Sequence, residues 1–280
     1  MQVNSKLIVV VLDGLNYDTA RRCMGYLEHL TEHEVMVCCE VKSELPSNSR
    51  PLYEVLLTGT PAYRNGITAN SVVRLSRETS VFQLAAEAGL TTAAAAYHWV
   101  SELYNGAPFD PAADRHQHDP AKPIQHGMFY FEDHYPDSHL FADAEHLRRT
   151  YAPDFLYIHS MNIDDAGHRY GGNGKEYEGA AKTADTLLAM LLPGWLEAGY
   201  RVIVTADHGM NANGMHGGTT REERIVPLYL AGLELEAGEE QPLAQLGMAG
   251  LMCRCLGLEP PASMRQTEIP VRRLAGSSAG

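Results

Sequence analysis

Leu7-Ile-Val-Val-Val-Leu12-Asp13 and Val202-Ile-Val-Thr205-Ala206-Asp207-His208-Gly209 are short apolar runs that each stop at an aspartate. Unbroken runs of this kind, too short for a helix, read as strands buried on both faces of a sheet. A carboxylate with no partner in its own segment is costly where a strand leaves the core, so a cation is expected nearby.

Working outward, β-rich runs recur at Val35–Val41, Thr91–Tyr97, Phe155–His159 and Val226–Leu230. Helical spacing separates them at Tyr17–His33, Pro51–Leu57, Val81–Ala88, Leu140–Arg149, Glu176–Leu196 and Gln241–Leu256, and Pro193 is expected to kink or end the fifth. This alternation predicts an α/β fold: a mostly parallel central sheet sandwiched by helices, in a single catalytic domain over residues 1–280. The segment 105–137, rich in Pro, His, Asp and aromatics, reads as a substrate-side insertion or as irregular surface, and the tail after Arg273 as frayed.

The chain has 280 residues, 45% hydrophobic and 20% charged, which excludes general disorder. A formal charge of −13 argues against a nucleic-acid polymer or an anionic membrane as partner, but leaves a small phosphate-bearing molecule open. No stretch approaches the roughly 18 apolar residues of a spanning helix. The N-terminus lacks a secretory layout, and the five cysteines form no CxxC pair, so a reduced, cytoplasmic setting is expected. Oligomeric state is not legible.

Ligands in open α/β sheets gather beyond the carboxyl ends of strands. Those ends carry Asp13, the Ser47–Ser49 turn, Tyr97-His98, Asp164 and Asp207-His208. Asp164 and His168 are four residues apart, on one face of a helical turn, with Asp165 as the rival acid. His216 is a natural third ligand for one ion, while Asp13, Asp207 and His208 would hold a second. Two such ions clamp the attacking and leaving oxygens of a phosphoryl displacement. Ser49, at a loop-to-helix junction followed by Pro51, is the candidate nucleophile, with Ser47 also suited to the turn.

Joined in order, these elements resemble the alkaline phosphatase superfamily, in its nucleotide pyrophosphatase/phosphodiesterase branch, with phosphonoacetate hydrolase related. The resemblance rests on Ser49-Arg50-Pro51, Thr58-Gly59, Gly66-Ile67, Asn70, Asp164-x-x-Gly-His168 and Asp207-His-Gly-Met210. It implies two divalent ions, Zn2+ first, with Mn2+ or Fe accepted by the same ligands. It further implies that Asp164, His168 and His216 hold one ion and Asp13, Asp207 and His208 the other. Ser49 would touch the second ion and form a covalent phosphoserine, and Asn70 would donate to a non-bridging oxygen. The implied activity is hydrolysis of phosphodiesters or nucleotide pyrophosphates. Phosphonates, phosphate monoesters and, less readily, sulfate esters are alternatives on the same site, as is a non-catalytic metal-binding scaffold. Two departures are Ser49, where the branch commonly has Thr, and Asn65, where it often has His. A sulfatase would want Arg at the position of Tyr53. Arg50, His98, Trp99 and Tyr104 are further candidates for the substrate pocket.

Overall fold

The computed structural model describes residues 6–235, 242–265 and 267–273. The tail after Arg273 and Gln241, the expected start of the last helical segment, lie outside the described residues. The strands are β1 (Leu7–Leu12), β2 (Met36–Lys42), β3 (Thr92–Tyr97), β4 (His116–His118), β5 (His126–Tyr130), β6 (Phe155–Ser160), β7 (Arg201–Thr205), β8 (Ile225–Ala231), β9 (Leu233–Leu235), β10 (Leu243–Ala244) and β11 (Val271–Arg273). Nine of them form one sheet in the order β10-β2-β8-β7-β1-β6-β3-β5-β4, and β11 pairs with β9 apart from it.

The block β7-β1-β6-β3-β5 is parallel throughout, so its strands end on one edge. β8 runs antiparallel to both β7 and β2, and β4 antiparallel to β5, so the sheet is mostly parallel with reversed strands toward its sides. Every residue of β1 is fully buried, with Val9 beside Tyr157 of β6 and Ile203 of β7. That explains why β1 reads as a continuous apolar run rather than an alternating one.

Several helical segments differ from expectation. Tyr17–His33 divides at Met24 into Tyr17–Cys23 and Gly25–Glu32. Its N-cap is Asn16, whose side chain accepts the Thr19 N–H at 2.8 Å, which leaves Asp13 free of that task. Pro193 does not end its helix, which runs from Lys175 to Glu197. Leu188, Leu192 and Trp195 are buried on either side of the proline and hold both halves against the core. The last segment opens as a 3-10 turn, Gln245–Gly247, before the helix Met248–Cys255.

The 105–137 segment is more regular than its composition implies, since it supplies β4 and β5. Gly127 inside β5 hides the strand signal and is required there: a Cβ would lie 2.2 Å from the Phe129 ring.

The helix Ser49–Thr58 is buried along its length and carries one carboxyl group into the interior, Glu54. Ser76 and Tyr104 donate hydroxyl hydrogens to it, so this helix is tied to the loop before residue 80 and to the helix His98–Tyr104. Burial, outweighing these bonds, raises Glu54 to about 7 from an ordinary 4.5. A carboxyl raised on folding binds more protons in the native state, so stability falls as pH climbs from 4.5 to 7 and levels above. The expected loss is on the order of 3 kcal/mol. Urea unfolding should show this slope in wild type and not in Glu54→Gln; an unchanged slope would place the titration elsewhere.

Candidate metal centre

β1, β6 and β7 lie side by side, and their exits place three carboxylates together. Asp13 follows β1, with its N–H on the Ser160 carbonyl at 3.0 Å. Asp207 follows β7, and Asp164 lies in the helix Asn162–Tyr170 that follows β6. Gly14 permits the contact: its φ is +75°, and a Cβ there would stand 2.9 Å from Asp164 Cα. Ser43 and Gln245 both donate to the Asp207 carbonyl, at 2.7 and 2.6 Å, and fix the turn that holds Asp207.

The imidazoles arrive on the same ground. His208 Nε2 lies 3.3 Å from both Asp13 Oδ1 and Asp207 Oδ2. His168 Nε2 lies 3.3 Å from Asp164 Oδ2 and 3.2 Å from His216 Nε2, and His216 Nε2 lies 3.8 Å from Asp164 Oδ1. Among the described residues, two groups meet metal-ligand spacing: Asp13, Asp207 and His208, and Asp164, His208 and His216. His208, stacked on His216 at 3.9 Å, therefore stands between the two groups, while His168 closes the outer one from the solvent side.

The tautomers follow from what each Nδ1 meets. His168, His208 and His216 each place Nδ1 2.8–3.0 Å from a backbone carbonyl, of Gly214, Gly209 and Ser47 respectively. A carbonyl only accepts, so each Nδ1 carries hydrogen and Nε2 is the nitrogen turned toward the cluster. Backbone carbonyls that accept the Nδ1 hydrogen orient metal-binding imidazoles in this way.

The donor set fits divalent ions. Asp13 Oδ1, Asp164 Oδ1 and Asp207 Oδ2 are buried with no hydrogen-bond partner among the described residues. Ligands about 2.0–2.1 Å from a tetrahedral ion are separated by about 3.3 Å, close to the 3.2–3.3 Å contacts here. Without an ion the charges conflict. Burial would raise Asp13, but His159 and His208 hold it well below the usual carboxylate range. Burial and the charges of Asp13 and Asp164 push Asp207 well above it. The bond to Asp164 raises His168 to about 9, against its burial, so a proton stands in for a cation there. Burial and His208 lower His216.

Ser49 opens the helix Ser49–Thr58, and its Oγ lies 3.0 Å from His208 Nε2. A bridge between Ser47 and Gly217 joins this turn to the loop bearing His216, which separates Ser49 from Ser47: the Ser47 hydroxyl is spent on the Glu223 carbonyl. Half-buried Asn70 accepts the Arg50 N–H through Oδ1 at 3.1 Å, next to Ser49.

The other pocket candidates fare differently. Arg50 is 1% exposed, pairs with Glu102 at 2.6 Å and lies 4.6 Å over the Trp99 ring, so its guanidinium is withdrawn from a ligand. Tyr104 is buried and bound to Glu54, a core position rather than a pocket wall. His98 and Trp99 remain partly exposed at the β3 exit, with Trp99 6.1 Å from the Tyr53 ring. Tyr53 and His159, both fully buried against Asp13, were not anticipated. The available signals were the four-residue step from Ser49 to Tyr53 and the place of His159 at a strand end.

The model of the type I phosphodiesterase / nucleotide pyrophosphatase family matches residues 7–227. The chain belongs to this family. The resemblance drawn from the ordered motifs therefore holds, and the family is one of phosphoester hydrolysis. Murine ectonucleotide pyrophosphatase/phosphodiesterase 5 is similar in structure (TM-score 0.65, 15% identity, 91% of this chain and 96% of that one), and an inactive variant of it was solved with AMP. Phosphonoacetate hydrolase from Sinorhizobium meliloti 1021, solved with phosphonoformate, has a TM-score of 0.53 at 23% identity, over 73% of this chain and 56% of that one. These likenesses establish the α/β fold. In sequence, the GPI ethanolamine phosphate transferase 3 catalytic subunit of Mus musculus is 29% identical over 113 residues, 39% of this chain. The chain matches only about a tenth of that protein's length, 10%.

Crowding of carboxylates makes a testable demand on the metal-free protein. Asp207 is raised on folding, so the chelator-treated chain should lose stability as pH rises above 3.8, the ordinary value. Asp207→Asn should remove that loss and raise the melting temperature of the stripped protein at pH 7, by about 2–4 °C for each kcal/mol relieved. The same variant should lose stabilisation by added Zn2+. A stripped variant less stable than wild type would contradict the crowding.

Proposed function

We propose that this chain hydrolyses phosphate diesters or nucleotide-type phosphoanhydrides through a covalent phosphoserine at Ser49, with two divalent ions, Zn2+ first, in the ligand groups. The observation that carries this reading is Ser49 Oγ, 3.0 Å from His208 Nε2 at the opening of a ten-residue helix. When bound, the ions would supply Lewis acidity and lower the pKa of a hydroxyl or water held beside them.

The chain's own groups do the rest. Ser49 Oγ gives its proton to solvent water and bonds to phosphorus while the leaving oxygen departs, protonated from solvent; a water then adds OH to phosphorus and returns its other hydrogen to Ser49 Oγ as the Ser49–phosphorus ester breaks. Backbone N–H groups at the start of Ser49–Thr58 favour an anion there. With Oδ1 fixed by Arg50 N–H, the Asn70 amide nitrogen is the end left to donate to a non-bridging oxygen.

Preference for a singly charged diester rests on Arg50. A doubly charged monoester terminus is usually gripped by a guanidinium fork, and Arg50, the cation next to Ser49, is committed to Glu102. The AMP complex of the murine relative agrees with a nucleotide-type substrate. We place a small phosphate ester, rather than a nucleic acid or a membrane, as partner on the charge of −13. A cytoplasmic setting is supported by Cys23, Cys38, Cys39 and Cys253, none of which is in a disulfide among the described residues. No described helix is long and apolar enough to cross a membrane.

Ser49→Ala should lower turnover of bis(4-nitrophenyl) phosphate by at least about 10³-fold with zinc content and fold retained. Surviving activity would reject both nucleophile and mechanism. Wild type should favour the bis-aryl over the mono-aryl ester in kcat/KM at equal metal loading; a monoester advantage would overturn the diester assignment.

A further inference from the structure

The two oxygens of Asp13 have different surroundings. Oδ1 stands 3.3 Å from His208 Nε2 and has no hydrogen-bond partner among the described residues. Oδ2 accepts the phenolic hydrogen of Tyr53 and lies 3.2 Å from His159 Nε2. We propose that Tyr53 and His159 are positioning residues that hold Asp13 Oδ2, so that Asp13 offers Oδ1 alone to the inner ion, and that Tyr53 ties the nucleophile's helix to that ion. The proposal rests on the di-metal reading above.

Packing does not account for either side chain. Tyr53 and His159 are both fully buried, at 0% exposure, and their rings meet edge to face at 4.4 Å. Phenylalanine and leucine would fill the same space without a polar group to desolvate. The phenol instead points at a carboxylate. Burial and the charges of Asp13 and Asp207 hold it well above its ordinary range, so the hydroxyl keeps its hydrogen and donates. Neither His159 nitrogen has a hydrogen-bond partner of good geometry among the described residues, and the charged group facing its Nε2, at 3.2 Å, is Asp13 Oδ2.

The two residues reach Asp13 by separate routes. Tyr53 is one turn beyond Ser49 in the same helix, so both face the cluster from one rigid element. His159 stands opposite Val11 in the parallel β6–β1 pair, two residues before Asp13 in the chain. A carboxylate held from helix and sheet at Oδ2 cannot rotate to chelate with both oxygens. Any shift of the Ser49 helix would also move the Tyr53 hydroxyl, and with it Asp13.

The test uses the full chain, stripped of metal and titrated with Zn2+ against a chromophoric chelator. Wild type should take two ions. Tyr53→Phe should bind one as wild type does and the other about 10–100-fold more weakly, the usual cost of losing such a support. Its stripped form should melt within a few degrees of stripped wild type, and excess Zn2+ should restore its kcat, a rescue that general structural damage would not allow. His159→Leu should show the same selective loss, and His159→Gln, which keeps an N–H donor, a smaller one. Wild-type affinity for both ions in Tyr53→Phe or in His159→Leu would overturn the proposal. A wild-type chain that takes up no ion would overturn it together with the di-metal reading, so the two failures are distinguishable.

Discussion

Three carboxylates, Asp13, Asp164 and Asp207, are packed where strands β1, β6 and β7 leave the sheet, each with a buried oxygen that no donor among the described residues meets. Unpaired buried charge of one sign is among the most costly features a fold can carry. The imidazoles of His168, His208 and His216 turn Nε2 toward these carboxylates, each with Nδ1 on a backbone carbonyl. Cations among these groups would relieve that cost.

The sheet explains how the cluster is assembled. β1 is central and its parallel neighbours are β6 and β7, so three consecutive strand ends point the same way. Short connections then carry His168 and His216 over the same edge. The helix Ser49–Thr58 enters from β2, which runs antiparallel to β8, and presents its N-terminus to the carboxylates through Ser49 and its first N–H groups. In the proposed reading, charge would meet charge at both scales: ions between carboxylates, and a helix N-terminus facing a phosphate. The two ion positions differ in setting. Asp13, Asp207 and His208 are fully enclosed, whereas the His168 side chain is 44% exposed and faces the solvent.

Much of this was legible in the sequence, and for identifiable reasons. Buried parallel strands leave continuous apolar runs, so β1, β6 and β7 stand out, and the acids that end them can be picked out at once. The four-residue step from Asp164 to His168 is a helix-face signal. What the sequence concealed depends on tertiary packing. β4 and β5 are short and interrupted by Gly127, whose need appears only when the Phe129 ring is in place. Pro193 sits within a helix that buried residues on both sides hold together. Arg50 looked available beside Ser49 because its partner, Glu102, is distant in sequence. Tyr53 and His159 escaped for the same reason: the four-residue step from Ser49 and the strand-end place of His159 gain meaning only through Asp13, which each meets by a contact made by the fold.

Anomalous diffraction at the zinc edge, from crystals of the full chain grown with Zn2+, tests the central claim most directly. Two strong peaks are predicted, one within bonding distance of Asp13 Oδ1, Asp207 and His208 with Ser49 Oγ beside it, the other among Asp164, His168 and His216. Clear density for these side chains with no anomalous peak among them, in protein that still hydrolyses a diester, would contradict the account.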